Sequence, residues 1–150
     1  MAQPRCLEGD DTDGHIDTLA RFCDPRTIAY VACDDPTDEH DEELQLMHRE
    51  LQGFRTADGQ PYRLVALPLP DPVYDDEGNR LPATYANFLI MNGAVLCPTY
   101  NQPEKDEQAL GILKGIFPER QVIGIDCCVL VRQHGSLHCC TMQYPLTIDH

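Results

Sequence analysis

The chain has 150 residues and a formal charge of −14, with a pI near 4.5. A globular domain of this length buries roughly 68–70% of its unfolded surface, so a real core is available. The acidity argues against nucleic acid and anionic membrane as partners, because both need a basic footprint. No run approaches the ~18 apolar residues of a membrane span, and the stretch from Met1 to Asp11 lacks the apolar centre of a signal peptide. A cytoplasmic protein with no membrane contact is expected. Eight cysteines, at 6, 23, 33, 97, 127, 128, 139 and 140, include two adjacent pairs and no disulfide framework, which points to reduced thiols.

Taken in chain order, Asp13-Gly14-His15-Ile16-Asp17 comes first. On extended backbone the side chains at 15 and 17 share a face and can line one cavity. Thr27 to Cys33 is apolar and β-branched and predicts a strand. Asp34-Asp35-Pro36-Thr37 then supplies turn residues ahead of a helix from Asp38 to Phe54, with Leu44, Met47, Leu51 and Phe54 on its core face. Tyr62 to Leu69 predicts another strand, stopped by Pro68, Pro70 and Pro72. The acidic, proline-rich segment from Asp71 to Pro82 is a long connecting loop, with a functional role or a plain surface connection both open.

The second half repeats this order. Asn87 to Met91 and Ala94 to Tyr100 predict two strands around Asn92-Gly93, a strong hairpin signal. A helix is expected from Pro103 to Phe117 with Leu110, Leu113, Ile116 and Phe117 inward, followed by a strand from Gln121 to Cys127. The repeated unit is strand, strand, helix, strand, in an α/β fold. Its copies span approximately 14–70 and 85–127, and a final strand carrying the chemistry spans 136–144. Each copy is too small to bury both faces alone, so copies must pack together.

Two regions could carry chemistry. An imidazole transfers protons near neutral pH, and a carboxylate pairs bidentately with a planar guanidinium, so His15 and Asp17 are candidates, with an ordinary surface pair as the competing reading. Near the chain end, Gly135-Ser136-Leu137-His138-Cys139-Cys140 sets two thiols beside an imidazole. Adjacent ligands rarely close a tetrahedron and no Cys-x-x-Cys pair is present, which disfavours a metal site. A cysteine hydrolase acting on peptides or esters stays open, although its Gly-rich nucleophile turn is absent. On a strand, Cys139 and Cys140 point to opposite faces, so only one can meet His15. Cys127-Cys128 reads as the buried end of a strand, while His40, His48 and His150 read as solvated helix or terminal residues. His134, close to the Cys139 segment, is a weaker candidate.

Several stretches together resemble one family: Thr12 to Asp17 with Leu19-Ala20-Arg21-Phe22, Leu67 to Pro72, Tyr85-Ala86-Asn87-Phe88, Pro98-Thr99-Tyr100-Asn101, Ile123 to Cys127, and Gly135 to Cys139 with Thr141-Met142-Gln143. In this order they are similar to the C-terminal part of agmatine deiminases, in the guanidine-modifying superfamily that includes peptidylarginine and arginine deiminases. The resemblance implies about two blades of a five-bladed pseudo-symmetric α/β propeller, the pentein fold, left incomplete. It implies Cys139 as nucleophile, His15 as general acid/base and Asp17 as a guanidinium-binding carboxylate, with Asp13, Gly135 and Ser136 in the substrate site. No metal or organic cofactor is implied. The implied reaction converts agmatine and water to N-carbamoylputrescine and ammonia in putrescine biosynthesis, through a cysteine amidino-thioether; peptidylarginine or arginine deimination is the alternative.

The family also has an N-terminal half with a tryptophan-containing motif and a second guanidinium carboxylate. This sequence has no tryptophan and begins just before Thr12-Asp13-Gly14-His15. The expectation is a truncated, split or partly sequenced deiminase with little or no activity alone. A non-enzymatic fragment needing a complementary N-terminal chain is the competing expectation, and that chain or a second copy is the implied protein partner.

Overall fold

The computed structural model describes residues 19–133 together with His138 and Thr141. Two units of the same topology follow one another. In the first, β1 (Ala20–Asp24) runs antiparallel to β2 (Thr27–Ala32), and β2 runs parallel to β3 (Arg63–Pro68). Helix α1 (Asp41–Gln52) connects the parallel pair, as a parallel connection requires. In the second unit β4 (Leu89–Met91), β5 (Ala94–Thr99), α2 (Pro103–Ile116) and β6 (Gln121–Asp126) repeat the arrangement. Among the described residues each unit is a three-stranded sheet with its second strand in the middle.

The middle strand β2 is buried over Thr27–Val31, which is why its sequence is continuously apolar instead of alternating. Strand β5 tolerates Pro98 because β4 ends opposite Leu96, so a proline there meets only β6. Met91 pairs with Ala94 across the expected Asn92-Gly93 turn. Gly93 takes φ 81°, whereas Asn92 stays at negative φ, so this is not the type I′ turn that Asn-Gly pairs favour.

Leu44, Met47 and Leu51 are buried as expected, with Phe54 only half-buried at the helix end. Helix α1 begins at Asp41, three residues later than the sequence suggests. The intervening residues are held in turns: Asp35 Oδ1 accepts the Thr37 amide at 2.9 Å, and Asp38 Oδ1 accepts the His40 amide at 2.9 Å. Short polar side chains that bond local amides compete with helix in this way. The chain before β2, not singled out as a strand in sequence, forms β1 on the sheet edge.

One core joins both units. Helix α2 packs on β3 of the first unit as well as on β5 and β6. Its first turn is pinned to the proline-rich segment: Lys105 Nζ donates to the Leu69 carbonyl at 2.8 Å, and Gln102 exchanges hydrogen bonds with the Asp71 backbone at 2.8 and 3.0 Å. The long loop after Asp71 is fastened at its far end by Arg80, whose guanidinium is buried against Asp38 and Glu39. Among the described residues no helix is long and apolar enough to cross a membrane.

Two sequence expectations about histidines are corrected. His40 is not solvated but 6% exposed at the start of α1. His48 stacks on Tyr30 at a ring distance of 4.8 Å, which half-buries it. At His138 and Thr141 the backbone makes a turn, the Thr141 amide donating to the His138 carbonyl at 3.0 Å, where a strand over 136–144 is expected. The other residues of that expected strand lie outside the described residues.

Candidate functional site

Asp13, His15, Asp17, Gly135, Ser136, Cys139 and Cys140 lie outside the described residues, as do His134 and His150. Two described residues near them in sequence, Arg21 and His138, meet at a single segment, Thr84 to Phe88. This stretch has no regular secondary structure, yet Thr84, Tyr85, Ala86, Asn87 and Phe88 are all at most 1% exposed. Irregular backbone can be buried only if its polar groups find partners. Here they do. The Tyr100 hydroxyl accepts from the Thr84 amide at 3.1 Å and donates to the Thr84 carbonyl at 2.9 Å. Thr84 Oγ1 accepts the Ala86 amide at 3.2 Å. The Tyr85 hydroxyl donates to Asp106 Oδ1 at 2.6 Å.

Asp106 in turn organises the entry to α2. It accepts the Tyr100 amide at 3.1 Å and the Gln102 amide at 2.9 Å, around Asn101 at φ 56°. Asparagine tolerates that left-handed conformation better than most residues. Burial, followed by the Asp106 hydrogen bond, holds the Tyr85 phenol far above its ordinary pKa, so it remains a donor.

Two residues reach the segment from the ends of the chain that hold the candidate residues. From β1, Arg21 Nη1 donates to the Ala86 carbonyl at 3.1 Å and the Phe88 carbonyl at 2.6 Å, and its guanidinium lies 4.7 Å from the Phe88 ring centroid. From the other end, the His138 amide donates to the Asn87 carbonyl between those two, at 3.2 Å. Arg21 follows Asp17 by four residues, and His138 immediately precedes Cys139. Leu19, the first described residue after Asp17, is buried, and its carbonyl accepts the Val31 amide at 2.9 Å. Arg21, Tyr85, Asn87 and Tyr100 had no assigned role in sequence, though each sits in one of the matched stretches.

The described thiols are poorly set up as nucleophiles. Burial pushes Cys23 up to about 11, Cys97 up to about 12 and Cys128 up to about 11, the last helped by Asp126. Cys33 is raised by burial and by the carboxylates of Asp38, Asp41 and Asp35. It lines a cleft of about 180 Å³ together with Asp34, Asp35, Asp38, Asp71 and Lys105. That acidic surrounding opposes a thiolate. Cys127 is fully buried, as its sequence suggests, while Cys128 is half-buried. Among the described residues no three His, Cys, Asp or Glu side chains cluster as a metal ion would require.

A family model for the Porphyromonas-type peptidyl-arginine deiminase matches residues 2–145. The chain is 31% identical to the agmatine deiminase of Pseudomonas fluorescens and 32% identical to that of Medicago truncatula, in each case over 95% of this chain and 43% of the relative. It thus spans less than half the length of these curated relatives. Among solved structures, a Porphyromonas gingivalis protein with a provisional arginine deiminase assignment superimposes with a TM-score of 0.90 at 64% identity, covering 93% of this chain and 41% of that one. The C. jejuni agmatine deiminase with substrate bound superimposes with a TM-score of 0.81 at 45% identity, over 89% of this chain and 38% of that one. With nearly its whole length matched in sequence and its mixed α/β architecture shared with these enzymes, the chain belongs to the Porphyromonas-type peptidyl-arginine deiminase family.

Proposed function

We propose that this chain carries the nucleophile and the general acid/base of an agmatine deiminase, with Cys139 and His15 in those roles and Asp17 pairing with the guanidinium. Asp13, Gly135 and Ser136 complete the substrate contacts. The observation that carries the reading is the convergence of Arg21 and His138 on Ala86–Phe88, which ties the chain just after Asp17 to the chain just before Cys139. The raised pKa values of Cys23, Cys33, Cys97 and Cys128 support it, because they disfavour a thiolate at four of the five described thiols.

A guanidinium stays protonated at neutral pH, and its delocalised charge makes the central carbon a poor electrophile until carboxylates and fixed geometry favour a tetrahedral adduct. The Cys139 thiolate attacks that carbon, forming a carbon–sulfur bond. His15 protonates the departing nitrogen, the carbon–nitrogen bond breaks and ammonia leaves an amidino-thioether. The same imidazole then takes a proton from water, whose oxygen adds to the carbon. The carbon–sulfur bond breaks, Cys139 departs as thiolate, and agmatine plus water has become N-carbamoylputrescine plus ammonia. The charge of −14 favours approach of a doubly cationic substrate.

In this reading the two strand-strand-helix-strand units, approximately 14–70 and 85–127, are two blades of a five-bladed propeller, and 136–144 brings the nucleophile to its centre. A complementary N-terminal half supplies the second guanidinium carboxylate, and the chain alone turns over weakly or not at all. Phe22 and Val129, 64% and 74% exposed, are apolar surface that such a partner would cover. A second reading, deimination of arginine or peptidylarginine, is favoured by the family description and by the Porphyromonas gingivalis neighbour.

Ammonia release from agmatine, free arginine and an arginyl peptide tests these readings. It is measured for the chain alone and for the chain mixed with the part of the Pseudomonas fluorescens relative that it does not match. Preference for agmatine, lost in Cys139→Ala and kept in Cys140→Ala, is expected. Ammonia release undiminished by Cys139→Ala would overturn the assignment, and preference for arginine or the peptide would select the second reading.

A further inference from the structure

Three consecutive carbonyls are used in alternation at the buried segment: Ala86 and Phe88 accept from Arg21, and Asn87 between them accepts from His138. Arg21 thus holds the carbonyls on both flanks of Asn87 and leaves the Asn87 carbonyl to the His138 amide. The forked, planar guanidinium suits this task, because it can bridge two carbonyls and lie against the Phe88 ring at once. The Asn87 amide is itself only loosely tied, to the Thr84 carbonyl at 3.4 Å. The Arg21 bonds to the neighbouring carbonyls, at 3.1 and 2.6 Å, are shorter. Beyond the His138 amide, the His138 carbonyl accepts both the amide and the hydroxyl of Thr141, at 3.0 and 2.7 Å. Both polar groups of the His138 backbone are thus committed, the carbonyl being part of the peptide that leads into Cys139.

We propose that Arg21 is a positioning residue for Cys139: by holding the Ala86 and Phe88 carbonyls, it fixes the Asn87 carbonyl on which the His138 amide docks. The purpose of this docking rests on Cys139 being the nucleophile; the docking itself does not. Arg21 touches neither substrate nor reacting atom in this account. Its effect reaches the thiol through its two side-chain bonds to the Ala86 and Phe88 carbonyls, the backbone bond from His138 to Asn87, and the covalent chain.

Three readouts on the full 150-residue chain separate the possibilities. Hydrogen exchange at the His138 amide reports docking, the pH profile of Cys139 alkylation by iodoacetamide reports the thiol, and core amides such as Val31 and Val95 report global stability. In Arg21→Gln, exchange at His138 is expected to quicken by at least about tenfold relative to the core amides, and the Cys139 alkylation profile to move along the pH axis. Arg21→Lys, which keeps the charge but not the fork, should fall between, and it decides the matter by the same criteria if Arg21→Gln fails to fold. Unchanged exchange at His138 against a protected core would overturn the proposal. So would faster exchange with an unchanged alkylation profile, which would make Arg21 merely structural. Failure of the deiminase reading shows separately, as ammonia release that survives Cys139→Ala.

Discussion

Arg80 grips Asp38 with both arms of its guanidinium, Nη1 to Oδ1 at 3.2 Å and Nη2 to Oδ2 at 3.1 Å, with side chains only 7% and 10% exposed. The pair turns the long acidic loop after Asp71 from a free connector into a strap across the start of α1. Removing one partner leaves the other buried and uncompensated, which costs about 3 to 5 kcal/mol. Arg80→Ala should lose stability of that order in urea unfolding. Arg26→Ala, which breaks a surface pair with Asp58 exposed at 72% and 57%, should lose under about 1 kcal/mol.

Asp106 accepts three hydrogen bonds, from Tyr85, Tyr100 and Gln102, and so joins the buried segment to the start of α2. Hydrogen bonds to a charged group contribute about 1.5 to 3 kcal/mol each and do not add simply. Asp106→Ala should therefore cost at least about 2 kcal/mol in chemical denaturation, Asp106→Asn less, and Tyr85→Phe an intermediate amount. Near-wild-type stability for Asp106→Ala would show that the hub is dispensable.

Burial, followed by the Arg80 charge, lowers the His40 pKa below its ordinary 6.5. In the unfolded chain His40 takes up a proton first as pH falls, so its contribution is present above 6.5 and lost as pH drops through the folded value. Burial pushes the Asp38 carboxyl up, but the Arg80 and His40 hydrogen bonds bring it net below its ordinary 3.8. Its share is kept down to about that pH and lost below it. Unfolding free energy should thus fall in two stages on acidification. His40→Gln should remove the first and leave the second, as read by melting temperature against pH.

The pKa values of Cys23, Cys97 and Cys128, about 11, 12 and 11, predict slow alkylation near neutral pH and rates still climbing above the range of a free thiol, whose pKa is about 8.5. Peptide mapping after a short iodoacetamide pulse should find these three sites largely unmodified. Labelling at any of them as fast as free cysteine would contradict the burial-based assignment.

Much of this fold is legible in local pattern. The strand from Gln121 and the hairpin at Asn92-Gly93 follow directly from apolar runs bounded by turn residues. What the sequence hides is set by distant partners. Strand β1 carries Arg21 and Asp24 in a short edge segment whose burial alternates, so it offers no long apolar run. Helix α1 starts late because Asp38 is engaged by its own turn and by Arg80, 42 residues away. His40 is buried under that same pair. For the site, the matched stretches flag Arg21, Asn87 and Tyr100 as a set. Only the three-dimensional meeting of β1, Thr84–Phe88 and His138 gives them distinct tasks.

The central claim is that Cys139 is the nucleophile toward a guanidino substrate. Its most direct test is acid quenching of the chain with agmatine within a single turnover, with and without the complementary segment, followed by mass spectrometry of the cysteine peptides. An amidino adduct on Cys139, absent in Cys139→Ala and retained in Cys140→Ala, is the predicted result. An adduct on Cys140, or ammonia released with no adduct on Cys139 and undiminished in Cys139→Ala, would contradict it.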